Sequence, residues 1–226
     1  MNVLKKGKLI VIEGLDGSGK ATQTSILTNK LRLLKKRVSK VSFPDYDQKS
    51  STLVKMYLNS EFGQTPSEVN AYAASSFYAV DRYASFVKFW KEKYLNGQII
   101  IADRYVSSNA IYQLSKLEKN SWDEYLNWLN DYEYNKLSLP KPDLTIYLDM
   151  PIEISQKFMS NRYAGREALK DLHERNVELL KACRQSALYS ANKLGWHIVT
   201  CNNGGEPKPI DEINDLIFKL IKDVIL

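Results

Sequence analysis

The sequence has only two cysteines, only two histidines and no long uninterrupted apolar run. Cys183 and Cys201 have no metal-site spacing, so we expect free thiols in a reducing compartment and place the protein in the cytoplasm. No apolar stretch approaches the roughly 20 residues that a membrane helix requires. The short apolar run near the N-terminus leads directly into a glycine-rich loop, which is not how a signal peptide ends. We therefore expect no membrane partner and no signal peptide.

The rest of the composition is that of an ordinary globular protein. The chain has 226 residues, of which 44% are hydrophobic and 26% charged. A chain of this length can bury a stable hydrophobic core without disulfide bonds. We expect a single domain over residues 1–226, with a small lid at about residues 160–170. The net charge of +6 suits nucleic acid, a membrane surface or small phosphorylated substrates. Because the basic residues are spread along the chain, we do not expect a nucleic-acid partner.

Short β-rich runs alternate with helical patterns. The runs are Leu9–Glu13, Val38–Phe43, Ile99–Asp103, Leu144–Asp149 and His197–Cys201. The helical patterns are Ala21–Lys36, Pro66–Tyr94, Ser121–Asn135, Ile152–Met159, Leu169–Leu194 and Ile210–Ile225. This alternation predicts a three-layer α/β fold, with a parallel sheet covered by helices on both faces. Ligands of such sheets bind beyond the carboxyl ends of the strands.

A glycine-rich loop follows the first β-rich run. The segment Gly14–Lys20 matches the phosphate-loop pattern G-x-x-x-x-G-K, in which backbone N–H groups and a helix N-terminus converge on phosphate and the lysine reaches its outer oxygens. The alternative is a glycine-rich turn without a ligand. We expect the phosphates of ATP to be bound by Gly14, Leu15, Asp16, Gly17, Ser18, Gly19, Lys20, Ala21 and Thr22.

The loop departs from its usual form at Ala21, where a serine or threonine hydroxyl normally binds Mg²⁺. Thr22 comes next, but one helical residue is about 100° of rotation, so we expect it to face elsewhere. Carboxylates are better candidates, because Mg²⁺ keeps several waters and needs few protein oxygens. We therefore expect Mg²⁺ near Asp16, inside the loop, and Asp103, at the end of a neighbouring strand.

A second group of polar residues lies around the third β-rich run. Arg104, at the strand end, is well placed to bind an anion through two parallel hydrogen bonds. Asn109 and Tyr112 would share one side of a helix that had begun by then. Tyr78 and Arg82 are four residues apart on one helix face, where a ring beside a guanidinium suits a flat base. The alternative for this pair is a buried aromatic stripe with a surface arginine.

Together these segments resemble the thymidylate kinases of the nucleoside monophosphate kinase family. The matching segments occur in the family's order and cover most of the chain: EGLDGSGKATQ, FPDY, FYAVDR, DRYVSSNAIY, PKPDLTIYLD and NRYAGRE. The resemblance implies a P-loop fold with a five-stranded parallel sheet. It implies transfer of the γ-phosphoryl group of ATP to dTMP, giving dTDP and ADP for dTTP synthesis. It also implies a homodimer, for which part of Pro66–Tyr94 could form the contact face.

The resemblance further implies roles for individual residues. Tyr78 resembles the aromatic residue that stacks on thymine, Arg82 the arginine that bonds a thymine carbonyl, and Asn109 the polar residue near the ring N3. Tyr112 resembles the tyrosine that crowds the 2′ position of the sugar and so favours deoxyribose. Arg104 resembles the arginine that binds the acceptor phosphate.

Other residues complete the expected site. Phe43 and Tyr46 resemble residues of the substrate pocket, and Ser108 lies in the matching segment DRYVSSNAIY, so we include it among the substrate-binding residues. Asp16 resembles the loop acid near the acceptor and the metal. Glu174 is a looser match to an acid near the sugar 3′-hydroxyl or the metal.

The loop also lacks an arginine that some family members carry, because this chain has Gly17 there. Members with glycine supply catalytic arginines from the lid, and Arg162 and Arg166 are candidates, although two solvated arginines are the alternative. The acceptor phosphate is already ionised, so we expect no general base. We therefore expect catalysis by electrostatic stabilisation, from Lys20, Arg104, Arg162, Arg166 and Asp16.

Two other functions remain compatible with the sequence. The first is a kinase for a deoxynucleoside or another nucleoside monophosphate; a nucleoside acceptor would require a base, for which Asp45 is available. The second is a P-loop switch without enzymatic activity, which would have no need of a second anion site.

Overall fold

The computed structural model describes residues 6–163 and 177–225. Its strands are β1 Leu9–Gly14, β2 Val38–Ser42, β3 Ile99–Asp103, β4 Leu144–Asp149, β5 His197–Thr200, β6 Asn202–Asn203 and β7 Glu206–Pro207. Its α-helices are α1 Lys20–Leu33, α2 Thr52–Leu58, α3 Ala71–Ser85, α4 Lys91–Leu95, α5 Ser107–Tyr112, α6 Trp122–Asn130, α7 Ile152–Tyr163, α8 Val177–Leu194 and α9 Ile210–Ile225. Two π-helical segments, Phe86–Trp90 and Asp131–Lys136, follow α3 and α6. Short 3₁₀ turns cover Lys49–Ser51, Pro66–Glu68, Leu114–Lys116 and Lys119–Ser121.

Strands β1 to β5 form one parallel sheet in the order β2-β3-β1-β4-β5. This confirms the predicted α/β architecture with a five-stranded sheet. β1 is central, with Ile12 paired to Asp103 of β3 and Gly14 paired to Leu148 of β4. The loop that leaves β1 therefore begins between the carboxyl ends of two neighbouring strands, where ligands of such sheets bind.

The apolar run of β1 is continuous because both of its faces are covered. Leu9 and Val11 belong to a core cluster shared with α5 and α6, whereas Ile10 and Ile12 belong to a second cluster shared with α1 and α9. All four of these side chains are buried. The three-layer arrangement thus follows from strands that are apolar on both sides.

The long helix predicted over Pro66–Tyr94 is interrupted in the structure. A 3₁₀ turn covers Pro66–Glu68, and α3 begins after Asn70, whose side chain accepts a hydrogen bond from the N–H of Ala73 at 2.8 Å. This N-cap satisfies a backbone donor that would otherwise lack a partner, which is why the helix begins there. Helix α2 was not predicted.

Two C-terminal predictions fall partly on residues 164–176, which lie outside the described ranges. The helix predicted over Leu169–Leu194 is described from Val177 onward, and residues 169–176 lie outside the described residues. The predicted lid falls largely on residues that the structure does not describe. Between β5 and α9 lies the hairpin β6–β7, whose Gly204 and Gly205 both have positive φ, as a two-residue type I′ loop requires. Within the described ranges, the helices are too short or too polar to cross a bilayer.

Helix α1 offers a matched test of the layer between α1 and the sheet. Leu31 is 0% exposed and Leu33 is 84% exposed. We expect Leu31→Ala to lower the free energy of unfolding by about 2–5 kcal/mol, because it leaves a cavity. Leu33→Ala should change it by less than about 0.5 kcal/mol. Urea unfolding of both variants measures the difference, and equal losses would contradict the buried position of Leu31.

Candidate active site

The glycine-rich loop has the backbone that phosphate binding requires. Gly17 and Gly19 have φ of 79° and 87°, a left-handed conformation that suits glycine. Gly19 is the N-cap of α1, so the positive end of this helix points at the loop. A Cβ at Gly17 would collide with the carbonyl oxygen of Ser155 in α7. This packing explains why a side chain, and hence a loop arginine, has no room at position 17.

Lys20 is buried at the base of the loop, where its Nζ donates a hydrogen bond to the carbonyl oxygen of Leu15 at 2.7 Å. Burial, followed by repulsion from Arg104, lowers the pKa of Lys20 to about 8, and the nearby acids Asp16, Asp103 and Glu13 oppose this effect. The surroundings therefore do not fully compensate the charge of this ammonium group. A bound anion would favour the protonated form.

Arg104 is the first residue after β3 and has a left-handed backbone, with φ of 68°. Its N–H donates to the carbonyl oxygen of Ile12 at 3.1 Å, which ties it to the central strand. Its guanidinium donates to the carboxylate of Asp16 and, at 3.3 Å, to the hydroxyl of Tyr112. That hydroxyl donates in turn to Asp16 at 2.8 Å. Burial disfavours the charge of Arg104, but Asp16, Tyr112, Glu13 and Asp103 together outweigh this effect and raise the pKa of Arg104 well above its usual range.

Lys20 and Arg104 open onto the same cleft, which has a volume of about 450 Å³. The sequence-predicted residues that line it are Asp16, Gly17, Gly19, Lys20, Ala21, Thr22, Phe43, Tyr46, Tyr78, Arg82, Asp103, Arg104, Ser108, Asn109 and Tyr112. Gly14, Leu15 and Ser18 are buried and do not line the cleft. The side chains of Arg162, Arg166 and Glu174 lie outside the described part of the chain. The structure thus brings together both expected anion sites.

The expectation that Thr22 faces away from the cleft is wrong. Thr22 is exposed and lines the cleft together with Ala21. Both residues lie in the first turn of α1, and the cleft borders this N-terminal turn. The cleft is therefore lined by a hydroxyl-bearing residue next to Ala21.

Two residues of the expected base pocket contact an acid that the sequence did not reveal. Arg82 is only 1% exposed, and its Nε and Nη2 donate to Glu133 at 2.7 and 2.5 Å. The amide nitrogen of Asn109 donates to Glu133 at 3.0 Å and to the carbonyl oxygen of Ser75 at 3.2 Å. Tyr78 also lines this part of the cleft. Arg82 is therefore buried, which contradicts the alternative of a surface arginine. A buried arginine needs an acid, and this is the signal that could have pointed to Glu133.

Ser108 is held by a second acid that sequence reasoning left without a role. Its hydroxyl donates to Glu13 at 2.9 Å, and the same carboxylate accepts from the hydroxyl of Ser107 and the N–H of Tyr105. Glu13 is 0% exposed, and burial raises its pKa, against the effect of Arg104 and these hydrogen bonds. This acid fixes the start of α5 against the end of β1 and so fixes the wall that carries Asn109.

Two carboxylates fit the expected Mg²⁺. Asp103 lines the cleft, and its carboxylate makes no hydrogen bond or ion pair with any residue that the structure describes. Asp16 lines the cleft as well, although it is paired with Arg104. No group of three potential metal-ligating side chains occurs in the described ranges. Mg²⁺ bound to phosphates requires only one or two carboxylates, so this donor set is sufficient.

The match to known proteins decides the family. The family model described as thymidylate kinase matches residues 12–209. The chain belongs to the thymidylate kinase family. It is 33% identical over 186 residues to a thymidylate kinase of Mycobacterium tuberculosis, covering 80% of this chain and 84% of that protein. It is 27% identical to the human thymidylate kinase, covering 98% and 92% of the two chains.

A solved structure supports the same conclusion. A thymidylate kinase from Candida albicans, described as having broad substrate specificity, superimposes with a TM-score of 0.70. It is 26% identical and covers 97% of this chain and 92% of its own. The chain is thus a nucleoside monophosphate kinase of the type that phosphorylates dTMP to dTDP.

The contact between the loop and α7 can be tested with two glycines that share a positive φ. Gly19 has open space around its Cα, whereas Gly17 faces the carbonyl oxygen of Ser155. We expect Gly19→Ala to cost about 1–2 kcal/mol of stability from the backbone alone. Gly17→Ala should cost at least about 1 kcal/mol more, because a backbone atom must move. Equal losses in urea unfolding would show that the loop does not pack against α7.

Proposed function

We propose that the cleft binds ATP and dTMP with their phosphates facing each other and passes the γ-phosphoryl group directly between them. The observation that supports this is the shared cleft: Lys20 and Arg104 line it together, on loops that leave neighbouring strands. Phosphoryl transfer needs in-line placement of the two groups and neutralisation of their charge. Two cations on one cleft meet both requirements.

The donor side is formed by the glycine-rich loop. Its backbone N–H groups, the N-terminus of α1 and Lys20 bind the β- and γ-phosphates and stabilise the charge that spreads over the moving group. Asp103 and Asp16 would hold Mg²⁺, which neutralises phosphate charge when it is bound. Asp103 is the stronger candidate, because its carboxylate is not already paired with an arginine.

The acceptor side is formed by the residues around Arg104. Arg104 binds the phosphate of dTMP and holds it against repulsion from ATP, while Tyr112 limits the space at the 2′ position of the sugar. Phe43, Tyr46 and Ser108 contact the nucleotide from the walls of the cleft. The phosphate has its second pKa near 6, so it is ionised at neutral pH and needs no general base.

The base pocket is formed by Tyr78, Arg82 and Asn109. The ring of Tyr78 stacks on thymine, Arg82 donates to a thymine carbonyl, and Asn109 contacts N3. All three side chains line the cleft, on the side that α3 and α5 form. The pocket and the acceptor-phosphate site are thus continuous.

The rival nucleoside kinase would rely on Asp45 as its base. Asp45 does not line the cleft; it lines a neighbouring hollow, and its carboxylate accepts from the hydroxyl of Ser85 at 3.4 Å. A nucleoside hydroxyl bound beside Arg104 would therefore not meet this acid. The switch hypothesis leaves the second anion site without a purpose.

We also propose that the chain forms a single domain with a lid at about residues 160–170. Arg162 and Arg166 of this lid would contact the phosphoryl group during its transfer. Glu174 would lie near the sugar 3′-hydroxyl or the metal. Arginines that arrive with a lid exclude water and limit wasteful hydrolysis of ATP. Turnover of the alanine variants tests this: at least one should lose about 10²-fold or more.

A second copy of the chain is the proposed partner. Along α3 and its π-helical continuation, the apolar residues Val80, Tyr83 and Val87 are 41%, 45% and 49% exposed and recur at helical spacing. Such a stripe on one helix suits the two-fold contact of a homodimer. A cytoplasmic location is proposed as well, because Cys183 and Cys201 are free, buried thiols, which persist in a reducing compartment.

The acceptor role of Arg104 is tested by Arg104→Lys. The variant keeps the charge but loses the bidentate grip, so KM for dTMP should rise at least about 10-fold while KM for ATP changes little. Arg37→Lys, at an exposed position, is the matched control and should leave both values unchanged.

A coupled assay with dTMP, dUMP and thymidine, and calorimetric titration of dTMP without ATP, complete this experiment. Thymidine as the preferred acceptor would favour the nucleoside kinase. Absence of dTMP binding would favour the switch.

The dimer face is tested by Val87→Lys. A charge at this end of the stripe should shift sedimentation from dimer to monomer at micromolar concentration, because the buried lysine would have no partner. Leu33→Lys, at an exposed position on α1, is the matched control and should sediment as the unmodified protein does. Identical behaviour of the two variants would place the contact elsewhere.

A further inference from the structure

Glu133 occupies an unusual position for a carboxylate. It lies in the π-helical segment Asp131–Lys136 and is 0% exposed, yet it does not line the cleft. Its carboxylate accepts three hydrogen bonds: two from Arg82, at 2.5 and 2.7 Å, and one from the amide nitrogen of Asn109, at 3.0 Å. Glu133 thus contacts two of the residues that form the proposed base pocket, from the side opposite to the ligand.

These contacts determine which way the amide of Asn109 points. An amide nitrogen carries two hydrogens, and Asn109 donates one to Glu133 and one to the carbonyl oxygen of Ser75, at 3.2 Å. A carboxylate and a carbonyl only accept hydrogen bonds. A rotated amide would therefore place its oxygen against two acceptors, which is unfavourable at both. The amide oxygen accepts no hydrogen bond from a described residue and is left for a ligand on the cleft.

The same acid orients Arg82. Its Nε and one Nη2 hydrogen are committed to Glu133, and its Nη1 donates to the carbonyl oxygen of Tyr105 at 3.4 Å. A guanidinium has five N–H donors and no acceptor. Arg82 lines the cleft, so it can present only donors there. Its charge is balanced by Glu133, so it offers directed hydrogen bonds rather than a second uncompensated cation.

We infer that Glu133 is a positioning residue that sets the base preference of this kinase through Asn109 and Arg82. An acceptor beside a donor on the cleft matches the N3–H and the C4 carbonyl of thymine or uracil. It mismatches cytosine, whose N3 is an acceptor and whose 4-amino group is a donor. This inference rests on the base contacts proposed above, and it assigns their direction to an acid that does not touch the nucleotide.

The unmodified protein provides the first test, with dTMP, dCMP and N3-methyl-dTMP as acceptors. We expect kcat/KM for dCMP and for N3-methyl-dTMP to be at least about 100-fold below that for dTMP, because each leaves a polar group of the pocket unpaired. Comparable activity with N3-methyl-dTMP would overturn the inference. If dTMP itself is neither bound nor phosphorylated, the proposed function fails instead.

Variants of Glu133 provide the second test. In Glu133→Gln the charge is lost, and the new amide can donate to the oxygen of Asn109 and let that group rotate. We expect KM for dTMP to rise more than kcat falls, and the ratio of dCMP to dTMP kcat/KM to rise at least about 10-fold. Glu133→Asp keeps an acceptor-only carboxylate, and the ratio should stay within about threefold of its original value.

Controls separate this role from a purely structural one. Glu124→Gln, at an exposed position of α6, should change neither acceptor preference nor melting temperature. A structural role alone would lower the activity of Glu133→Gln on all acceptors in parallel and leave the ratio unchanged, which would overturn the inference. Circular dichroism of each variant shows which are folded. Should Glu133→Gln fail to fold, the Glu133→Asp ratio and the N3-methyl-dTMP result decide the matter.

Discussion

The pairing of β1 with β3 is the constraint on which the site depends. Ile12 lies opposite Asp103. The backbone N–H of Arg104 donates to the carbonyl oxygen of Ile12, two residues before β1 ends at Gly14 and the loop begins. Asp16 then returns from that loop to meet the guanidinium of Arg104. Two cation-bearing segments thus emerge side by side from adjacent strands. The pairing of the strands therefore places the phosphates bound by Lys20 and by Arg104 close together, and the side chains determine only their detailed positions.

The two arginine–carboxylate pairs beside the cleft have different electrostatic consequences. Arg82 and Glu133 are both almost completely excluded from water, so neither can be left alone without a large desolvation cost. The pair Arg104–Asp16 is partly exposed at the cleft, where an incoming phosphate can share the guanidinium. Lys20 has no ion pair in the described ranges and a pKa lowered to about 8. The charge of Arg82 in the base pocket is therefore already neutralised by Glu133. The positive charges of Lys20 and Arg104 remain available to bind phosphate.

The parts that the sequence predicted are those encoded locally. The apolar runs indicated the five strands, and the spacing from Gly14 to Lys20 indicated the loop. Arg104 was recognised because it directly follows a strand. Glu133 was not, because it lies 51 residues from Arg82 in the chain and only the packing of α6 beside α3 brings them together. The collision that keeps position 17 a glycine also comes from a distant segment, α7. Contacts of this kind have no signature in the local pattern.

The wide helical turn that carries Glu133 has a consequence for comparing sequences. A π-helical turn holds more residues than an α-helical one, so it shifts the rotational phase of every residue after it. A relative without this turn would present a different residue to Arg82. Gap-free alignment through Asp131–Lys136 would then pair Glu133 with a position on the wrong side of the helix. Evolutionary comparison of this acid should therefore be made on superposed backbones.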